Sequence, residues 1–255
     1  MQTHVLPLLK NESPVQIYHK TIMTAGKGES AISKEIEDIT QSIPSHIKLA
    51  YLPSLSRVRI RLSSMTTEVE NARIEVDEIA NRIAERLGNL VFGFDDIPFG
   101  KVLGQLCVDK NIQIASAESC TGGLLSSQIV STSGSSAYYT GSIISYSYEL
   151  KSSLLGVSSQ LMEEKGAVCE EVVLEMLSGL LDKTNADVGV SISGIAGPAG
   201  GTKEKPVGTV WLAVGNKEQQ LTEKLLIGKD RDINIRYAAN YGLNMMRLFI
   251  LEEYN

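Results

Sequence analysis

Twice in the second half of this 255-residue chain, an apolar segment runs straight into a glycine-rich loop. Ile112–Ala117 leads into Glu118-Ser119-Cys120-Thr121-Gly122-Gly123, and Val188–Ser193 leads into Gly194-Ile195-Ala196-Gly197-Pro198-Ala199-Gly200-Gly201. A short apolar run bounded by turn residues reads as a buried strand, and a helix from Leu124 to about Val130 follows the first loop. Around this pair, helices are predicted near Phe99–Lys110 and over Glu170–Lys183. Strands are predicted at Ser142–Ser147, Thr209–Val214 and Leu221–Ile227, and a terminal helix runs from Asp230–Asp232 to about Leu251. Strands and helices alternating at these lengths predict an α/β layered domain with a mixed sheet.

The first half has a different order. Strand Val15–Thr24, a turn at Gly26-Lys27-Gly28 and an amphipathic helix over Glu29–Gln41 come first. Strands Ile47–Leu52 and Val58–Leu62 follow, then a helix over Thr67–Leu87 ended by Gly88, and a strand at Leu90–Phe94. The sequence β-α-β-β-α-β predicts a small α+β sandwich. Asp95-Asp96-Ile97-Pro98 reads as the linker, giving expected domains at 1–97 and 98–255.

Composition narrows the function classes. With 43% hydrophobic residues the chain can build globular cores. No apolar run reaches the roughly 18–20 residues that span a bilayer, and the N-terminus lacks the pattern of a signal peptide. Three dispersed cysteines, Cys107, Cys120 and Cys169, are read as free thiols in a reducing, cytoplasmic compartment. Net charge is -6, and neither half is basic, which disfavours nucleic-acid or membrane binding driven by charge.

All three histidines (His4, His19, His46) lie in the first half. Within the second unit no Ser-His or Cys-His pair can form, and with no histidine there and the cysteines dispersed a Cys/His zinc site is disfavoured. Acyl chemistry there needs Lys, Tyr or a carboxylate as base, an accepted variant of the Ser-His-Asp logic. The loop Glu118–Gly123 is the best candidate site, because a strand enters it and a helix leaves it. Donors at such a turn suit a phosphate or an oxyanion. The plainer reading makes Ser119 and Thr121 simple N-cap residues. The loop Gly194–Gly201 matches neither a dinucleotide fingerprint nor a P-loop, and serves equally as a tight connection. Tyr146 and Lys151 follow the strand Ser142–Ser147. Lysine acts as a base only if burial or a neighbouring cation lowers its pKa, and a lysine chosen from sequence is usually a solvated charge. Cys120 is a rival nucleophile, although cysteine more often packs. Arg57, Arg59 and Arg61 alternate along one strand and share a face. That face is either a phosphate stripe or, more plainly, a solvated surface paired with carboxylates.

Several segments together resemble the C-terminal domain of the competence/damage-inducible protein CinA family. They are Ala117–Gly123, Gly134-Ser135-Ser136, Tyr146 through Lys151, Lys165-Gly166-Ala167-Val168, Ser193–Pro198 and Lys205–Val210, in one order across about 150 residues. Thr24–Ser30 and Ile47–Pro53 resemble, more loosely, the KH-like middle domain of that family. The resemblance implies an amidase that converts nicotinamide mononucleotide to nicotinate mononucleotide and ammonia. It implies Ser119 as nucleophile, with Lys151 and Tyr146 as proton-transfer partners and no metal or cofactor. Amides Thr121, Gly122 and Gly123 would face the oxyanion or phosphate, while Gly194, Ala196, Gly197 and Arg231 would line the nucleotide pocket. A homodimer is the family expectation.

This chain has Tyr148 where Asn is expected before the lysine, and Cys169 where Ser is expected. Full-length members begin with a molybdopterin-binding-like domain carrying a pyrophosphatase activity. Only His4-Val5-Leu6-Pro7-Leu8-Leu9 matches its end, so the chain is read as a fragment and no pyrophosphatase function is assigned. Two rival readings stay open: a nucleotide-binding regulatory module without chemistry, and a nucleic-acid adaptor acting through the first domain.

Overall fold

The computed structural model describes residues 15–254. The matched segment His4–Leu9 and His4 itself lie outside the described residues. The chain divides into two compact units between Ile97 and Pro98.

In the first unit, strands β1 (Gln16–Ala25), β2 (Ile47–Ser54), β3 (Arg57–Thr66) and β4 (Val91–Phe94) form an antiparallel sheet in the order β2-β3-β1-β4. Helices α1 (Glu29–Glu35), α2 (Glu37–Gln41) and α3 (Val69–Leu87) supply the rest of its core. Strand residues Ile22, Val58, Ile60 and Leu62 meet Ile32, Ile36, Ile39, Val76, Ile79 and Ile83 from the helices. The single helix expected over Glu29–Gln41 is broken at Ile36, whose φ and ψ are -112° and 16°. The apolar positions 32, 36 and 39 keep helical spacing across the break, so periodicity does not reveal it.

Strand β3 is longer than expected, and its alternation is strict. Val58, Ile60, Leu62 and Ser64 are buried, with Arg57, Arg59 and Arg61 on the opposite face. Arg59 pairs with Asp96 at 3.1 Å, the Arg61 Nε donates to Thr21 Oγ1 at 3.4 Å, and Arg57 lies over the Phe92 ring. Their partners are thus a carboxylate, a hydroxyl and a ring within the unit, closest to the plainer of the two readings of the stripe. His19 and His46 are likewise engaged inside this unit, by Ser63 and Glu75.

The second unit is built on a five-stranded mixed sheet, β6-β5-β7-β8-β9. Its strands are β5 (Ile114–Glu118), β6 (Tyr139–Ile144), β7 (Val188–Gly194), β8 (Thr209–Gly215) and β9 (Gln220–Leu226). β5 is parallel to β6 and β7, and β8 and β9 are added antiparallel. Helices α4 (Phe99–Lys110) and α5 (Leu124–Val130) pack with α9 (Arg231–Glu253), and α9 packs on β7 and β8. Helix α8 (Glu170–Thr184) lies along β5, β7 and β8 and carries α6 (Tyr148–Leu155). Covered on both faces, β5 is buried at all five positions, the polar Ser116 and Glu118 included.

The strand expected at Ser142–Ser147 lies three residues earlier. Helix α6 and the short α7 (Ser159–Lys165) were not foreseen. The inward residues of α6 are Lys151 and Leu155, whereas Tyr148, Leu150 and Leu154 are exposed. This apolar pattern is the reverse of an ordinary amphipathic helix, so the usual signal is lost.

Candidate functional site

Strand β5 ends at Glu118, and Ser119 extends its ladder, its N–H donating to the Ile192 carbonyl at 3.0 Å. The chain then turns sharply. The Gly122 N–H donates to the Ser119 carbonyl at 3.1 Å, and Gly122 and Gly123 take φ values of +60° and +98°. L side chains rarely adopt this region, and the two glycines allow the turn without strain. Ser119 is thereby held at the carboxyl end of the sheet, 7% exposed.

Lys151 arrives from the neighbouring strand. β6 ends at Ile144, the Ser145 N–H donates to the Glu118 carbonyl at 2.9 Å, and Ser147 caps α6 by accepting from the Leu150 N–H. One turn into α6, the Lys151 side chain points inward, 1% exposed. Its Nζ lies 2.8 Å from Ser119 Oγ, 2.7 Å from the Ser145 carbonyl and 3.3 Å from the Tyr146 carbonyl. Burial lowers the Lys151 pKa to about 8. Three partners suit both protonation states: the ammonium donates to all three, and the neutral amine donates to the two carbonyls and accepts from the serine hydroxyl. Cys120, beside Ser119, has its thiol pushed up to about 12 by burial, which removes it as a thiolate nucleophile near neutral pH.

These groups open onto a cleft of about 540 Å³. Of the residues expected from sequence, Ser119, Lys151, Tyr146, Gly194, Ala196 and Arg231 line it. Tyr146 is mostly exposed. Its hydroxyl accepts from Arg231 Nη2 at 3.3 Å, and only its backbone carbonyl meets Lys151. Arg231 Nη1 also donates to the Gly197 carbonyl at 2.7 Å, linking the start of α9 to the loop after β7. Asn234 holds the same loop by donating to the Ala196 carbonyl. Gly194 permits close packing at the cleft floor, since a Cβ there would stand 3.1 Å from Cys120 Sγ and 2.7 Å from Val210 Cγ2.

Thr121, Gly122, Gly123 and Gly197 are not on the cleft wall. The Gly122 amide is used within the turn, and the Gly123 amide donates to the Glu118 carboxylate at 3.0 Å. Among the described residues, neither the Cys120 nor the Thr121 amide donates to a carbonyl or carboxylate oxygen.

Sequence reading missed the opposite wall. Tyr148, Lys165, Gly166, Ala167 and Lys205 line it. The Ala167 N–H donates to the Tyr148 hydroxyl at 3.2 Å, Ser193 donates to the Ala167 carbonyl at 2.6 Å, and Lys205 donates to the Lys165 carbonyl. Lys165 pairs with Glu171. Tyr148, where the sequence departs from the expected pattern, thus holds the 165–168 segment, a contact no local signal marks. Arg231 and the two lysines line the mouth beside one lining carboxylate, Glu204, with Lys165 already paired to Glu171. Among the described residues no helix is long and apolar enough to cross a membrane, and no three His, Cys, Asp or Glu side chains gather where they could hold a metal.

The family model for the CinA C-terminal domain matches residues 98–250, and that for the damage-inducible protein CinA KH domain matches residues 19–93. A CinA-like protein of Cytophaga hutchinsonii is 39% identical over 231 residues, covering 91% of this chain and 55% of the relative. One from Salinibacter ruber is 38% identical over 247 residues, covering 96% and 60%. The chain therefore spans little more than half the length of these relatives. Among solved structures, the competence damage-inducible protein A (ComA) from Klebsiella pneumoniae superposes with a TM-score of 0.59 at 29% identity, covering 61% of this chain and 96% of that one. A CinA superfamily protein from Escherichia coli gives 0.57 at 31%, covering 59% and 88%. With both units matched in order and more than a third of the residues shared along most of its length, the chain belongs to the CinA family.

Proposed function

We propose that the second unit is a serine amidohydrolase that deamidates nicotinamide mononucleotide, giving nicotinate mononucleotide and ammonia. The observation that carries this reading is the 2.8 Å contact between Lys151 Nζ and Ser119 Oγ, closed off from solvent at the floor of a cleft with a cationic mouth.

The neutral amine of Lys151 takes the Ser119 proton as Oγ bonds to the carboxamide carbon, and the carbonyl electron pair moves onto oxygen. The amide of Cys120, a residue of the cleft wall, is the donor available for that oxyanion. The Lys151 ammonium then protonates the departing nitrogen, which leaves as ammonia while the C=O re-forms, giving an ester on Ser119. A water molecule gives a proton to Lys151 and attacks that ester. The C–Oγ bond breaks, Lys151 returns the proton to Oγ, and the carboxylic acid is released. Lys151 contacts Ser119 directly, so Tyr146 is not needed as a relay. Its hydroxyl and Arg231 instead form one side of the cleft, where Arg231, with Lys205 on the other wall, suits a phosphate.

The test is ammonia release from nicotinamide mononucleotide by the purified chain, its Ser119→Ala variant and its Lys151→Ala variant. The expected result is turnover by the parent and loss of at least about 10³-fold in each variant. Saturable nucleotide binding without ammonia release would replace this reading with a binding module, and undiminished turnover by Ser119→Ala would remove the nucleophile.

A further inference from the structure

Glu118 precedes the nucleophile and has no place in the steps above, yet it is 0% exposed. Its backbone lies in the sheet between Ile144 of β6 and Ile192 of β7. Its carboxylate is satisfied from the first turn of α5. Oε2 accepts from the Gly123 and Leu125 amides at 3.0 and 3.1 Å, and Oε1 accepts from the Ser126 amide at 2.9 Å and the Ser126 hydroxyl at 2.5 Å. Ser126 Oγ is held in turn by the Tyr139 hydroxyl, which also meets Ser116. A buried carboxylate is tolerated only when its oxygens are hydrogen-bonded, and helix N-terminal amides meet that need.

Two consequences follow for the site. The opening turn of α5 is occupied from inside the fold, so its amides are withdrawn from any ligand. The same bonds hold Gly123, and with it the left-handed Gly122-Gly123 pair that returns the chain from Ser119 into α5. Resting on the amidohydrolase reading, we infer that Glu118 is a positioning residue for the Ser119 nucleophile: its carboxylate clamps the start of α5 and so sets the 119–123 turn that brings Oγ to Lys151 and leaves the Cys120 amide for the oxyanion. It touches no substrate and takes no proton.

The test compares the full chain with Glu118→Gln and Ser126→Ala, using nicotinamide mononucleotide and measuring kcat, KM and the pH profile per folded molecule, with the folded fraction from calorimetry. Gln keeps the size of the side chain but turns one acceptor oxygen into a donor facing amides. Expected is a kcat loss on the order of 10²-fold with KM little changed, the effect of a nucleophile displaced by a fraction of an ångström. The midpoint of the pH profile should stay in place, because the groups around the Lys151 amine do not include Glu118. Ser126→Ala, which removes one of the four bonds, should lower kcat about three- to tenfold, and it decides the matter should Glu118→Gln not fold. Parental kcat per folded molecule in the variant that decides, or a displaced pH midpoint, overturns the inference. A parent protein that releases no ammonia removes the amidohydrolase reading and this inference together. A parent that turns over beside unimpaired variants removes the inference alone.

Discussion

Gly179 in α8 lies directly against the backbone of Leu155 at the end of α6: a Cβ on residue 179 would stand 1.9 Å from the Leu155 carbonyl oxygen. Helix α6 carries Lys151, so this contact between two helices sets how far the amine reaches toward Ser119. Gly179→Ala must push α6 outward, since a backbone carbonyl cannot turn aside as a side chain can. The expected outcome is destabilisation of about 1–3 kcal/mol by overpacking, seen as a lower Tm. A loss of ammonia release on the order of 10²-fold accompanies it. A variant with the Tm lowered and kcat unchanged would show that α6 absorbs the strain without moving Lys151.

The acidity of Lys151 gives a pH dependence. As the general base of the free protein it must be neutral, and burial lowers its pKa from 10.5 to about 8. In kcat/KM for ammonia release, activity should rise about tenfold per pH unit below 8 and level off above it. A midpoint near that of an ordinary lysine, or a profile falling through pH 8, would contradict this role.

The same burial costs stability, and the sign can be worked out. The folded-state pKa lies below the unfolded one, so folding is penalised wherever Lys151 is protonated in the native state. The penalty is complete below pH 8, shrinks as pH rises from 8 to 10.5, and is gone above that. Lys151→Met should therefore abolish turnover yet raise stability at pH 7 by about 1–2 kcal/mol. The advantage should diminish between pH 8 and 10.5 in denaturant titrations. Equal stability of parent and variant at pH 7 would mean that the amine is better solvated than its 1% exposure implies.

Arg231 separates binding from chemistry. It donates to the Gly197 carbonyl and the Tyr146 hydroxyl, whereas the Lys151 amine meets Ser119 and the Ser145 and Tyr146 carbonyls. Arg231→Ala should raise KM for the nucleotide about 10- to 100-fold through loss of a charge-assisted phosphate contact, with kcat close to that of the parent. A drop in kcat at constant KM would instead place the guanidinium at the reacting centre.

Much of the architecture was legible residue by residue. Val188–Ser193 and Ile112–Ala117 are built mostly from apolar and small residues because helices cover the strands they form, and that pattern marks buried strands. Helix α8 announced itself through Val173, Leu177, Leu180 and Leu181, which meet the sheet on one face. The glycines after Cys120 marked a turn, and the confinement of histidine to the first half ruled out the commonest partner for a serine nucleophile. Those are local properties, written in side-chain type and spacing.

The identity of the base was not local. Lys151 stands 32 residues after Ser119 on a helix whose apolar side chains largely face outward, and apart from the family resemblance of Tyr146 through Lys151 nothing in its neighbours distinguishes it from a surface lysine. Three placements in space make it a candidate base: the parallel register of β5 with β6, the packing of α6 on α8 at Gly179, and the Ser145 and Tyr146 carbonyls that receive its amine. Burial and the acidity it confers depend on every element around a group at once. For the same reason the sequence places Glu118 only at the start of a loop, whereas the first turn of α5 closes on its carboxylate. Periodicity reports which face of an element is apolar; which side chains from distant elements meet behind that face is settled by register and close packing, and the Ser119–Lys151 contact is of that second kind.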